Sequence, residues 1–307
     1  MRIEILGSAA GGGFPQWNCS CANCDSLRAG TFHGRPRTQT QVAVSGRDTS
    51  WFLLNASPDL RVQIERNFAF HPNRGSRNSP IAGVVLTSAD LDHIVGLLSL
   101  RELQPFRVYS TPSVERILRQ DNSVFRMLNR QANQVAWSDI RPGESFALTS
   151  MTGEDSGLRC EPFSLGSRYP IYVHEKASLG PEEATLGLVV TGVTGSRLAY
   201  LPATPAIDQA LIERLEKADL ILFDGTFWSD DELPRIQGGG ATAGEMGHIP
   251  VSSPEGSLKQ LACLRRPRKI YIHVNNTNPM LDESGAEYRE VRAAGWEIAE
   301  DGWRVDL

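Results

Sequence analysis

The run Val84-Val85-Leu86-Thr87-Ser88-Ala89-Asp90-Leu91-Asp92-His93-Ile94-Val95-Gly96 decides how the rest of the chain is read. Val84, Val85 and Leu86 form the branched apolar run of a fully buried strand, and Ile94, Leu97 and Leu98 follow at near-helical spacing. Polar residues therefore crowd the strand-to-helix turn. In an open α/β arrangement, ligands bind beyond the carboxyl ends of strands, so Ser88, Asp90, Asp92 and His93 are delivered there together. A single Ser or Asp would suffice as an N-cap. Asp92 and His93 add a carboxylate oxygen and an imidazole nitrogen, donor types that suit zinc or ferrous iron.

Around this pivot, 307 residues with formal net charge -5 and 40% hydrophobic content describe an ordinary α/β protein with no composition break. No apolar run reaches the roughly 18 residues of a membrane span, and residues 1–7 alternate like a strand rather than reading as a secretory signal. The expectation is a cytoplasmic protein. The densest basic run, Arg265, Arg266, Arg268 and Lys269, precedes a strand and reads as a solvated loop, so no nucleic-acid partner is expected. Cys19, Cys21 and Cys24 cluster as metal thiolates do, whereas Cys160 and Cys263 read as small buried hydrophobes.

Upstream, the glycines of residues 7–13 suit a tight turn, since no Gly-Lys-Ser/Thr follows to make a phosphate cradle. Cys-x-Cys-x-x-Cys then offers three soft donors, and a closed tetrahedral zinc site needs a fourth from elsewhere; His248, in a Gly-rich loop, is one candidate. Residues 41–44 and 51–54 read as a hairpin turning through 45–48. Helices are expected over 60–64, 111–118, 206–218 and 252–264, and strands over 107–110, 171–174, 186–190, 197–201, 220–223 and 269–273. Several of these strands discharge a polar residue at the carboxyl end: Asp90, Asp92 and His93 after the first, then Asp224, then His273. Loops of this kind converge, which predicts a metal centre assembled from distant parts of the chain.

Ser88-Ala89-Asp90-Leu91-Asp92-His93 resembles the strand-ending His-x-His-x-Asp-His signature of the metallo-β-lactamase-like family, with both leading histidines replaced. More narrowly, residues 7–24, the Asp-Leu-Asp-His pivot, Met246-Gly247-His248 and Asn275-Asn276-Thr277-Asn278-Pro279 are similar to the coenzyme PQQ synthesis B family, over almost the whole chain. The resemblance implies an α/β (α+β) fold, a four-layer αββα sandwich forming a single metallo-β-lactamase-like domain over 1–307, with a zinc knuckle inserted near 14–25. It further implies a structural zinc on Cys19, Cys21, Cys24 and His248. Dinuclear hydrolases of the superfamily use histidines where Ser88 and Asp90 stand here, and Ala203 occupies or adjoins the place of their bridging aspartate. His174 is the nearest match to their later-strand histidine, with poorly matching flanks.

What remains is Asp92, His93 and His273 around one Fe(II), with Asp90 or Asp224 as a further oxygen donor or proton acceptor. Two histidines and a carboxylate with open positions is the ligand set of non-haem iron oxygenases. The implied activity is iron- and O2-dependent hydroxylation of the tyrosine ring of a Glu-Tyr-type fragment during pyrroloquinoline quinone (PQQ) assembly. The partners implied are that small peptide-derived substrate, O2 and other PQQ-pathway proteins. Competing readings are a soluble carrier assisting transport of PQQ or its precursor to the periplasm, and a metal-dependent hydrolase. Hairpin edges and the tail residues Trp296 and Trp303 are candidates for a homodimer contact.

Overall fold

A computed structural model describes residues 1–47 and 50–307. Its strands are β1 (Arg2–Gly7), β2 (Gln41–Ser45), β3 (Trp51–Leu54), β4 (Ile81–Val85), β5 (Phe106–Ser110), β6 (Val135–Asp139), β7 (Phe146–Thr149), β8 (Asp155–Gly166), β9 (Thr185–Thr191), β10 (Arg197–Leu201), β11 (Leu220–Asp224), β12 (Arg268–Ile272), β13 (Trp296–Ile298) and β14 (Trp303–Asp306). The chain divides into two compact units. One is Met1–Leu6, Gln41–Ser196 and Gly302–Leu307; the other is Gly7–Thr40 and Arg197–Asp301.

The first unit carries a seven-stranded sheet in the order β14-β1-β2-β3-β4-β5-β6. β2 and β3 form the expected hairpin, with Val42 opposite Leu54; Asp48, placed by the sequence reading in its turn, lies outside the described residues. From β3 to β6 the strands run parallel, and parallel strands covered on both faces need unbroken apolar runs. Val84, Val85, Leu53 and Val108 are accordingly inaccessible to solvent. Leu54, Val85 and Tyr109 share a register position, so the loops after β3, β4 and β5 leave the sheet at one edge. After β5, Thr111 caps the helix Pro112–Arg116 through a bond from Val114 N (3.3 Å), with Pro112 in its first turn. The helix passes at Ile117 into a wider turn, Ile117–Asp121, rather than running regularly to 118.

Strands β7, β8 and β9 pair antiparallel in the same unit, with Cys160 opposite both Phe146 and Val190. Residues 171–174, expected as a strand, form a turn instead: Val173 N bonds the carbonyl of Pro170 (3.1 Å), and Ile171 is 97% exposed.

The second unit is built on the parallel strands β10, β11, β12 and β13. Leu220 to Phe223 are fully buried, and Tyr271 stacks on Trp296 with ring centroids 4.2 Å apart. Trp296 is thus a core residue and offers no surface for a homodimer. The helix expected over 206–218 is Gln209–Glu216, begun by Asp208, whose carboxylate accepts from Leu211 N (2.7 Å). The one expected over 252–264 shrinks to Ser257–Gln260: Gly256 is extended, and Ser257 N and Leu258 N bond the carbonyls of Pro250 (3.0 Å) and Val251 (3.1 Å) instead of continuing a helix upstream. Cys160 is buried as expected, but Cys263 is exposed. Among the described residues, no helix is long and apolar enough to cross a membrane.

Candidate metal centre

In the first unit the pivot follows β4. Thr87 N donates to Asn55 Oδ1 (2.8 Å), and Leu186 N donates to the Thr87 carbonyl (2.8 Å), so the turn is fixed on both sides. Asp90 occupies the N-cap of the short helix Leu91–Ile94, yet its side chain does not cap. Its Oδ2 instead accepts from Ser88 Oγ (2.7 Å), and Ser88 Oγ lies 2.7 Å from His93 Nδ1. A hydroxyl has one proton to give, and a carboxylate only accepts. With that proton committed to Asp90, the bond to His93 requires a proton on Nδ1, which makes Nε2 the basic nitrogen of the ring. His93 is buried and Asp92, beside it in the first turn, is half-buried. Ala56 N holds the His93 carbonyl (2.7 Å), and the Tyr172 hydroxyl donates to the Ala89 carbonyl.

The second unit brings Asp224, His248 and His273 together, one potential ligand atom of each lying within 4.8 Å of the others. Asp224 ends β11 with no solvent exposure. Its Oδ1 accepts from Thr226 N (3.0 Å) and Thr226 Oγ1 (2.6 Å), and its Oδ2 from Thr204 N (2.7 Å) and His248 Nδ1 (2.8 Å). Burial alone would push this carboxyl up. The hydrogen bond from His248 and the charge it carries when protonated, then His273 in the same way and Thr226, outweigh burial and hold it below the usual carboxylate range. With both oxygens doubly engaged, Asp224 orients its neighbours rather than offering a free lone pair.

Thr226 Oγ1 is the hub of this group, lying 2.8 Å from His273 Nδ1 and 3.1 Å from His248 Nδ1. Its proton goes to Asp224 in the shortest of these contacts, so the imidazoles donate toward the Asp224–Thr226 pair through Nδ1. That tautomer makes Nε2 the basic nitrogen of each ring, and the two rings stack with centroids 5.4 Å apart. His273 follows β12 at φ 60°, a left-handed conformation uncommon for a residue with a side chain.

The three thiols also converge in this unit. Cys19, Cys21 and Cys24 bring their sulfurs within 4.8 Å of one another, and none is in a disulfide. Gly12 and Gly13, at φ 95° and 70°, make the tight turn before them, and Arg28 ties the loop by donating to the carbonyls of Gln16 and Cys19. Burial pushes the Cys21 thiol up to about 12, whereas at Cys19 hydrogen bonds with Cys21 and Asn276 outweigh burial and hold the thiol below its usual range.

His248 is not the residue that meets them. The Thr242–Glu245 capping box and Gly247 at φ 88° turn the chain so that Ile249 N bonds the Thr204 carbonyl (2.7 Å). His248 is thereby set against Asp224, and the expectation that it joins the cysteines is corrected. Asn276 takes that place, its Nδ2 lying 3.2, 3.6 and 3.3 Å from the sulfurs of Cys19, Cys21 and Cys24. His174 is exposed and joins neither cluster. The sequence reading passed over Thr226, Thr204, Tyr172 and Asn276. Thr226 left a trace as a hydroxyl two residues beyond a strand-ending aspartate, the spacing of a local side-chain turn, and Asn276 lay within the Asn275–Pro279 motif without a role assigned to it.

Residues 50–274 match the beta-lactamase superfamily domain, a metal-dependent class of enzymes built on two mixed sheets with helices. The chain is 42% identical to coenzyme PQQ synthesis protein B of Methylorubrum extorquens AM1 and 41% identical to that of Pseudomonas syringae pv. syringae B728a, each match covering all of both chains. It also matches the crystal structure of Zn(2+)-bound PqqB from Methylobacterium extorquens with a TM-score of 0.91 and 41% identity, again over all of both chains. The chain belongs to the coenzyme PQQ synthesis protein B family, and its role lies in PQQ biosynthesis.

Proposed function

We propose that this protein is an iron- and O2-dependent hydroxylase that oxygenates the tyrosine ring of a Glu-Tyr-type fragment on the way to PQQ, drawing on an external two-electron reductant. Asp92, His93 and His273 hold Fe(II) at the active site, and the knuckle cysteines hold a structural zinc. The observation that carries the reading is the chain of hydrogen bonds from Asp90 through Ser88 to His93. Side chains standing where two-metal hydrolases keep histidines are spent here on each other and on fixing one imidazole, which favours a single cation. Thr226 does the equivalent for His273. Two imidazoles held through Nδ1 and one carboxylate are a donor set that suits ferrous iron with open coordination positions.

When bound, the iron supplies O2 activation. The chain's own residues fix the tautomers of His93 and His273, and His248, backed by Asp224, accepts the phenol proton through Nε2. Zinc in the matched relative's structure agrees with a metal-binding role and is compatible with the knuckle as well as the active site.

The test is anaerobic loading with Fe(II), then addition of O2, reductant and a Glu-Tyr dipeptide. O2 consumption coupled to a product heavier by one oxygen atom is expected. Zinc-dependent cleavage under anaerobic conditions would instead establish a hydrolase, and tight PQQ binding without turnover a carrier.

A further inference from the structure

We infer that Asn276 closes the knuckle, binding the zinc through its side-chain oxygen to complete a site of three thiolates and one neutral amide. The inference rests on the zinc reading of the cysteines and replaces the histidine that the wider resemblance implied. Asn276 is 97% buried, with 3% exposure, and its amide tip sits over the face of the sulfur triangle. Its distances to the three sulfurs are 3.2, 3.6 and 3.3 Å. Zn–S and Zn–O bonds at their usual lengths, arranged as a tetrahedron, separate the oxygen from each sulfur by about 3.6 Å. The tip therefore stands at the fourth vertex.

An amide nitrogen has two hydrogens and cannot satisfy three sulfurs, and its lone pair is not basic. The oxygen and nitrogen of such an amide are exchanged by a half-turn of the side chain, and the choice between them belongs to the hydrogen-bonding partners. A cation among three thiolates settles that choice for the oxygen. Other contacts hold the residue in place: Asn23 Nδ2 donates to the carbonyls of Asn276 (3.1 Å) and Asn278 (3.0 Å), and Cys21 Sγ lies 3.9 Å from the Asn276 carbonyl.

The consequence reaches beyond the knuckle. Asn276 lies three residues after His273, on a segment also secured by Asn278 Nδ2 on the Gly225 carbonyl (3.0 Å) and by Asn275 Nδ2 on Thr277 Oγ1 (2.6 Å). Zinc bound to Asn276 anchors the stretch that holds His273 in its left-handed conformation, so the knuckle metal is a positioning device for that imidazole.

The experiment replaces zinc with Co(II) in the full-length protein and reads the thiolate-to-cobalt charge-transfer bands, which report the knuckle alone. Zinc affinity is measured in parallel by competition with a chromophoric chelator. Asn276→Asp and Asn276→His should keep the metal and shift the bands, because each changes the fourth donor; Asn276→Leu should weaken zinc binding at least tenfold. Unshifted bands in both conservative variants, or wild-type affinity in Asn276→Leu, would overturn the assignment. Cys24→Ser separates this from the underlying reading: if that variant keeps its zinc, the thiols are not the site at all, whereas loss of zinc there with unchanged Asn276 variants condemns only the fourth ligand.

Discussion

Replacing Thr226 by Val removes one hydroxyl and disturbs three side chains. Asp224, with no solvent exposure, loses one of four donors, and His273 Nδ1 loses its contact with the Thr226 hydroxyl. A buried polar group left unpaired costs about 1–3 kcal/mol, and loss of a residue that orients a metal-bound histidine lowers metal affinity about 10–100-fold. Thr226→Val should therefore show both effects in chemical denaturation and iron titration, and Thr226→Ser should restore them; a variant with normal iron affinity would remove Thr226 from the orienting role. Glu232 permits a second prediction. Burial pushes its carboxyl up to about 7, against the bonds from Thr277 and from Trp228 N (2.5 Å). The folded protein thus binds more protons than the unfolded chain between the ordinary glutamate range and about 7. Its contribution to stability falls as pH rises through that window and is lost above it. Glu232→Gln should flatten the decline in melting temperature between these limits relative to wild type; an unchanged slope would assign the decline to other groups. Asp92, His93, Asp224, His273 and the cysteines were legible because each lies at a strand end or in a dense local spacing. Thr226 as a hub, His248 facing Asp224 and Asn276 over the sulfurs were not, because each role comes from a partner at least 22 positions away for His248 and more than 250 for Asn276.

The helix bearing Asp92 and His93 depends on a close approach. Gly96 sits where a Cβ would lie 2.2 Å from Ser57 O and 2.7 Å from Ala56 C, both backbone atoms that cannot swing aside. Its own N donates to the Ala56 carbonyl (2.9 Å), so the segment Val95–Leu100 is laid directly on the turn after β3. Gly96→Ala must push the two apart. Overpacking of this kind costs about 1–3 kcal/mol, and here it also strains the Ala56–His93 bond; the expected result is a lower denaturation midpoint together with weakened iron binding. A loss of stability with intact iron affinity would show that the helix adjusts without moving its ligands. The parallel strands were readable from sequence because burial on both faces demands unbroken apolar runs. β8 was missed since Gly157 and Pro162 interrupt its pattern, and the register irregularity between Ser164 and Gly166 blurs the alternation further. Residues 171–174 misled for the opposite reason: Ile-Tyr-Val has strand propensity, but no neighbouring strand pairs with it, and its tyrosine is used to brace the Ala89 carbonyl.

Two donor sets of different softness give the molecule a chemical division of labour. Thiolates favour zinc and form closed sites that contribute folding energy, whereas imidazole with carboxylate leaves room for an exchangeable cation. The metals should therefore leave in a fixed order. A mild chelator should strip the iron while melting behaviour changes little, and zinc should follow only under conditions that unfold the protein. His273→Ala should abolish iron binding and turnover yet retain zinc, because the cysteines and Asn276 are untouched by the substitution. Cys24→Ser should lose zinc and lower the melting temperature, and its iron affinity should fall as well, since the stretch after His273 loses its anchor. This asymmetry is the useful measurement. Metal analysis of the two variants, after identical anaerobic loading, should find one site missing in the first and both impaired in the second. Retention of wild-type iron affinity in a zinc-free Cys24→Ser protein would mean that His273 holds its geometry through Thr226 alone.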